Sequence, residues 1–144
     1  MIPDTTQVER IRNLISNTLF RLNIGFNTTE RGEYTFRQGS TAVVIRLIAK
    51  DNDIFAYVFS PVAMDVTRLN LELLIFLMAE NHKLHLCKFS LEAESRSIWL
   101  EHSLLGSTLN EQELIRTLEI IALTADRYDE QISLMSGGKR ATDI

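Results

Sequence analysis

The sequence is poor in residues that carry cross-links or redox chemistry. Cys87 is its one cysteine, so no disulfide can form within the chain. A single thiol suits a reducing compartment, because disulfide frameworks belong to oxidising ones. The opening residues, MIPDTTQVER, contain an acid and no apolar core, so we expect no secretory signal there. These features predict a cytoplasmic location.

Long hydrophobic runs and positive charge are also scarce. No run reaches the ~18–20 apolar residues that cross a bilayer, so no membrane contact is predicted. The formal net charge is −4, and the longest basic cluster is the pair Lys139-Arg140. Such a chain repels a nucleic-acid backbone, because the field of the whole molecule is negative. We therefore predict no nucleic-acid partner.

Catalytic and cofactor motifs are not recognisable either. The six glycines form neither a dinucleotide fingerprint nor a P-loop, and no serine lies in a G-x-S-x-G elbow. His82 and His85 are three residues apart, but a zinc site needs further ligands that the pattern does not offer. A Cys87 nucleophile paired with His85 or His102 is an alternative that the sequence leaves open. We predict no catalytic residue, no metal and no cofactor.

What the sequence does contain is apolar residues in clear periods. Hydrophobic residues make up 45% and charged residues 24%, which suffices for one folded domain. Helical spacing predicts helices from about Gln7 to Leu22, over residues 69–80, and from near Asn110 to about Leu134. Alternation predicts three strands before the middle helix and two after it. The predicted fold class is α+β, in the order α-β-β-β-α-β-β-α, with a five-stranded antiparallel sheet and three helices.

The domain prediction follows from the same pattern. Residues 1–134 form a single predicted domain, because no linker, repeat or low-complexity block interrupts them. The last ten residues, MSGGKRATDI, contain two glycines and no periodic apolar content. We therefore predict a disordered tail over residues 135–144.

The middle helix, LNLELLIFLMAE, is apolar on more than one side. Its positions on a helical wheel place Leu71, Leu74, Ile75 and Met78 on one side, and Leu69, Leu73, Phe76 and Leu77 around the other. A helix that packs on one sheet needs only one apolar stripe, so a second surface is expected to cover the rest. Either the last helix or a second subunit could supply this cover.

Three segments carry a resemblance to a known family: LELLIFLMAEN, the hairpin KFSLEAESRSIWLEHSLL, and LNEQELIRTLEIIALTADRYDEQI. Through them, residues 6–133 look like the YbjN-domain proteins of bacteria, which share the fold of class I type III secretion chaperones. The resemblance implies an α/β sandwich with a twisted antiparallel sheet, no enzymatic activity, and binding of an extended or partly folded polypeptide. It also implies that the middle helix contributes to a homodimer interface.

Two groups of side chains are the sites predicted under this resemblance. The predicted dimer or partner interface consists of Leu71, Leu74, Ile75, Phe76 and Met78. The predicted client-binding patch consists of Ile11, Ile15, Phe55, Tyr57 and Trp99. We favour a second subunit over the last helix as the cover of the middle helix.

A different class of function fits the same residues. The curved sheet and helices could enclose a small-molecule pocket, as in a sensor or an enzyme, lined by Phe55, Tyr57, Phe59 and Trp99. A scaffold that binds a folded partner is a third alternative. Binding of an unfolded polypeptide, and not of metabolites, would favour the chaperone-like function over both.

Overall fold

A six-stranded antiparallel sheet forms the centre of the molecule. The computed structural model describes residues 5–143. In chain order the elements are α1 (Thr5–Arg21), β1 (Asn27–Thr28), β2 (Tyr34–Gln38), β3 (Thr41–Lys50), β4 (Asp53–Ala63), α2 (Leu71–Lys83), β5 (Lys88–Glu92), β6 (Ser97–Leu105) and α3 (Glu111–Ser136). Two 3-10 turns, Gly106–Thr108 and Ala141–Asp143, complete the described chain. Predictions about residues 1–4 and Ile144 lie outside it.

The strands follow one another in the sheet as β1-β2-β3-β4-β6-β5. Every neighbouring pair is antiparallel, so the predicted meander and the second hairpin are both present. Asp51 and Asn52 connect β3 to β4 with φ angles of 53° and 64°. Positive φ at both central residues is what a tight two-residue hairpin turn requires. The α+β class with three helices and an antiparallel sheet is therefore confirmed.

The predicted number of five strands was wrong, because β1 adds a sixth. This strand has two residues, and its register pairs Asn27 with Thr35 and Thr28 with Tyr34. Both of its residues are exposed. A strand of two exposed residues shows no alternation of apolar and polar side chains, so the period-two signal could not reveal it.

One face of the sheet and the helices share a continuous hydrophobic core. Its fully buried members include Ile11, Ile15 and Leu19 of α1, Val43, Ile45, Ala56 and Val58 of the sheet, and Leu114, Leu118, Ile121 and Ile132 of α3. Side chains alternate between the two faces of a strand, so the residues between these point away from the helices. The core thus fixes which residues of β3, β4 and β6 lie on the opposite face.

The last described residues are attached to the end of β4. Gly137 ends α3 in the left-handed conformation, with φ of 68°. Met64 and Lys139 exchange two backbone hydrogen bonds of 2.8 and 2.7 Å, and Ala141 is buried. Residues 135–143 therefore differ from the disordered tail predicted for 135–144. The glycines serve a helix cap and a close approach, since a Cβ on Gly138 would lie 2.9 Å from the Met64 carbonyl oxygen.

Candidate functional site

Helix α2 buries one side and exposes the other. Asn70 caps its start, because the Asn70 side chain accepts a 2.9 Å hydrogen bond from the Leu73 amide. Leu73 and Leu77 are buried. The exposed side carries Leu71, Leu74, Ile75 and Met78, whose exposed fractions are 72, 42, 59 and 72%. These four residues are called the α2 apolar face.

Helix α3 meets the other side of α2 and leaves the α2 apolar face open. Tyr128 of α3 donates a hydrogen bond to Glu80 at 3.2 Å, and its ring lies edge-on to Phe76 with centroids 6.5 Å apart. Of the five predicted interface residues, four therefore share one exposed face, whereas Phe76 turns toward α3. Clustered exposed aliphatic side chains are typical of an interaction surface, since single scattered ones are the norm elsewhere.

The sheet face opposite the helices carries an aromatic cluster. Tyr57 and Phe59 alternate with core residues of β4, and Trp99 lies on the same face of β6. The Phe59 ring stacks on both neighbours, with centroid distances of 5.0 Å to Tyr57 and 4.3 Å to Trp99. Tyr57, Phe59 and Trp99 are called the aromatic patch. The three rings stack on one another side by side along this face of the sheet.

Charged side chains border the aromatic patch in fixed positions. The Arg46 guanidinium lies 5.0 Å from the Phe59 ring centroid and forms an ion pair with Glu33. Tyr57 donates a hydrogen bond to the Glu101 carboxylate, and the Ser90 hydroxyl donates to it at 2.7 Å. Burial and then the hydrogen bond to Glu101 raise the pKa of Tyr57 far above its usual value. The phenol therefore stays protonated, and its ring is held in place.

The predicted client-binding patch is split by the structure. Phe55, Tyr57 and Trp99 lie on the open face of the sheet, and none of them is fully buried. Ile11 and Ile15 are fully buried at 0% exposure on the other side, so a client cannot reach them in this conformation. Their periodicity identified a shared face of α1, but a regular apolar stripe is the side that a helix packs on its own core.

Sequence reasoning missed an exposed aromatic residue at the end of α1. Phe20 is 81% exposed, the largest value among the exposed large hydrophobic residues described. Phe20 is not among the residues that line the cleft of about 180 Å³ after the end of α1, which are Leu22, Ile24, Gln38, Ile115, Leu118 and Glu119. The available signal was the position of Phe20 outside the stripe formed by Ile11, Ile15 and Leu19. An apolar residue off the stripe of an amphipathic helix has no core partner to bury it.

Cys87, His82, His85 and His102 are the residues considered for catalysis or metal binding. Cys87 is buried, and this burial raises the pKa of its thiol. A raised pKa disfavours the thiolate, which is the nucleophilic form. Within residues 5–143 no three His, Cys, Asp or Glu side chains come together as a metal site requires. No helix in that part of the chain has the length and apolar content to cross a membrane.

Comparison with known proteins identifies a family. Residues 9–144 match the family described as T3SS (YopN, CesT) and YbjN peptide-binding chaperone 1. A search of curated proteins found no significant match.

Several solved structures share the fold. The ExsC-ExsE complex aligns with a TM-score of 0.66 and 17% identity over 91% of this chain and 97% of that one. The HopA1-SchA chaperone-effector complex aligns with a TM-score of 0.68 and 10% identity, covering 90% and 99%. The Yersinia pestis type III secretion chaperone SycH, in complex with a fragment of YscM2, aligns with a TM-score of 0.60 and 14% identity, covering 81% and 98%. At these identities the likeness shows the fold alone.

Proposed function

Because the chain belongs to the family of T3SS and YbjN peptide-binding chaperones, we propose that it is a non-catalytic, chaperone-like protein that binds an extended or partly folded polypeptide as a homodimer. One observation carries the proposal: a chain of this family leaves the α2 apolar face exposed and carries, on the sheet face opposite the helices, two partly exposed rings, Tyr57 and Trp99, stacked on a buried Phe59. We assign the α2 apolar face to the dimer and the aromatic patch to the polypeptide. The proposed location is the cytoplasm, in keeping with the single reduced thiol of Cys87.

The α2 apolar face suits contact with a second copy of the chain. Homodimers are mostly two-fold symmetric, so the same face on each subunit must be complementary to itself. Aliphatic side chains at i, i+3, i+4 and i+7 meet this condition, because they can interdigitate with the same row on another helix. Burial of roughly 400 Å² of apolar area contributes on the order of 10 kcal/mol before the entropic cost of association.

The aromatic patch suits contact with an extended segment. Aromatic side chains supply a large contact area and lose little conformational freedom, so they dominate the energy of many interfaces. The stacked rings of Tyr57, Phe59 and Trp99 are already ordered by one another and by Arg46 and Glu101. A pre-ordered surface lowers the entropic cost of binding.

The experiment uses Trp99, the only tryptophan of the chain, as a reporter of binding. Wild-type protein is titrated with a library of unstructured peptides that lack tryptophan, and the Trp99 emission is followed. We expect some peptides to shift this emission. The Tyr57→Ala variant should bind the same peptides at least about tenfold more weakly, since an aromatic anchor typically contributes that much to the affinity. Phe20→Ala, which removes an exposed aromatic ring elsewhere on the molecule, serves as the control. A library without any binding peptide, or equal losses in both variants, would contradict the proposal.

A further inference from the structure

Asn81, in the last turn of α2, is hydrogen-bonded to the outer edge of the sheet. Its Oδ1 accepts from the Phe89 amide at 2.7 Å, and its Nδ2 donates to the Phe89 carbonyl oxygen at 3.2 Å. Strand β5, which contains Phe89, is the terminal strand of the sheet. These two backbone groups are therefore the ones that a further strand would bind. The amide of Asn81 reproduces the donor and the acceptor of one residue in such a strand.

The contact is reciprocal, because β5 also binds the end of α2. Lys88 Nζ donates to the backbone carbonyl oxygen of Asn81 at 2.8 Å and also to that of Leu84. A lysine at this place complements the negative end of the helix dipole. Beneath this pair, the Phe89 ring lies edge-on to Tyr128 of α3, with centroids 5.1 Å apart. The end of α2 is thus joined to β5 from both sides and anchored to the core.

In an antiparallel strand the backbone groups of successive residues point alternately toward and away from the neighbouring strand. This alternation shows which positions of the β5 edge the Asn81 contact occupies. Since Phe89 binds Asn81, Phe89 and Leu91 turn their backbone groups outward, whereas Lys88, Ser90 and Glu92 turn theirs toward β6. An open edge is a template for pairing with another chain, and the hazard grows beside exposed apolar residues. Because the backbone groups of Phe89 are hydrogen-bonded to Asn81, Leu91 is the single residue of β5 whose outward backbone groups are left for an added strand. One residue is too short a ladder to hold an added strand.

We propose that Asn81 is a positioning residue that serves as a one-residue substitute for a neighbouring strand. It closes the β5 edge to strand addition, and it holds α2 in the orientation that presents the α2 apolar face to a second copy. The second effect rests on the dimer of the proposed function. The first effect does not depend on it.

The experiment compares Asn81→Leu, Asn81→Asp and the control His82→Leu, which changes the neighbouring exposed position. Exchange of the Phe89 amide hydrogen is followed by NMR, and the dimer dissociation constant by sedimentation equilibrium. Leucine fills the space without hydrogen-bonding groups, so we expect Phe89 to exchange about tenfold faster or more. Aspartate keeps an acceptor for the Phe89 amide and gives an intermediate rate. His82→Leu leaves the rate unchanged, and Asn81→Leu weakens the dimer by about tenfold.

Slow exchange of Phe89 in Asn81→Leu would overturn the proposal, because side-chain volume and not the amide would then hold the edge. An unchanged dissociation constant despite faster exchange would overturn the effect on α2 orientation. If Asn81→Leu does not fold, the intermediate rate in Asn81→Asp decides the question. A monomeric wild type would contradict the dimer of the proposed function, and Phe89 exchange would still test the closure of the edge.

Discussion

Helices α2 and α3 differ in how far their apolar residues are buried. α3, with 26 residues, buries its stripe of Leu114, Leu118, Ile121 and Ile132 against the sheet. α2, with 13 residues, buries Leu73 and Leu77 and leaves the four residues of the α2 apolar face exposed. The apolar pattern of α3 is satisfied within the chain, whereas that of α2 is only half satisfied. Similar patterns thus serve stability in one helix and, in the proposed dimer, association in the other.

The largest effect is expected in α3. Ile121→Ala removes a side chain that is 0% exposed, so it leaves a cavity under the helix. We expect the free energy of unfolding to fall by about 2–5 kcal/mol, as measured by urea denaturation. Leu123→Ala is the control on the same helix, because Leu123 is 66% exposed. Equal losses of unfolding free energy in the two variants would contradict the conclusion that this stripe of α3 belongs to the core.

The ends of the helices differ as well, since α3 ends at Gly137 and α2 at an extended Leu84. A Cβ on Gly137 would lie 2.1 Å from Thr67 Oγ1, and its φ of 68° disfavours other residues. Gly137→Ala should therefore lower the free energy of unfolding by roughly 1–2 kcal/mol or more. Gly25→Ala is the matched control, because a Cβ there meets no atom within 4 Å. Thermal unfolding of both variants measures the two losses of stability. A similar loss in Gly25→Ala would contradict the role of Gly137 as the cap of α3.

The next prediction concerns the α2 apolar face. Met78→Asp places a charge at a side chain that is 72% exposed in the single chain. We expect the dimer dissociation constant to rise by about tenfold or more, because a buried unpaired charge is unfavourable, while the monomer keeps its fold. Leu134→Asp of α3 is the control, as Leu134 is 69% exposed. Sedimentation equilibrium distinguishes them, and an equal effect of both would show that mere exposed hydrophobicity drives association.

The smallest effect concerns pH. His82 of α2 is exposed, whereas His102 of β6 is partly buried. This burial lowers the pKa of His102 below its usual 6.5, and it outweighs the Leu86 backbone and Glu113, which both raise that pKa. The unfolded chain therefore binds the proton more readily than the folded one. The stabilisation is full above pH 6.5 and is lost as the pH falls through the lower folded-state pKa. His102→Gln should flatten this fall, measured by urea unfolding from about pH 7.5 to about pH 5.5. An unchanged slope would argue against this role.

Periodicity was enough to predict three helices, an antiparallel sheet and the double-sided α2, whereas the family was predicted from a resemblance carried by three segments of the sequence. The predicted family is confirmed by the match over residues 9–144. Periodicity shows which residues share a face, but it does not show which face a neighbouring element covers. For this reason Ile11 and Ile15 were assigned to a surface although both are buried in the hydrophobic core.

Other features depend on contacts between distant residues, which a local pattern does not contain. Gly137 and Gly138 look flexible in sequence, and only the approach of Met64 shows that they serve a cap and a bridge. The bond between Asn81 and Phe89 depends on β5 being the terminal strand, and strand order is not a property of any single segment.

The proposed dimer requires that α2 associates with a second copy and that α3 does not. Hydrogen exchange by mass spectrometry, on wild-type protein at about 1 µM and about 100 µM, tests it directly because association is set by mass action. We predict that amides of residues 71–83 become more protected at the higher concentration, while those of residues 111–136 do not change. Identical exchange of residues 71–83 at both concentrations, in a chain that sedimentation finds monomeric, would contradict the account.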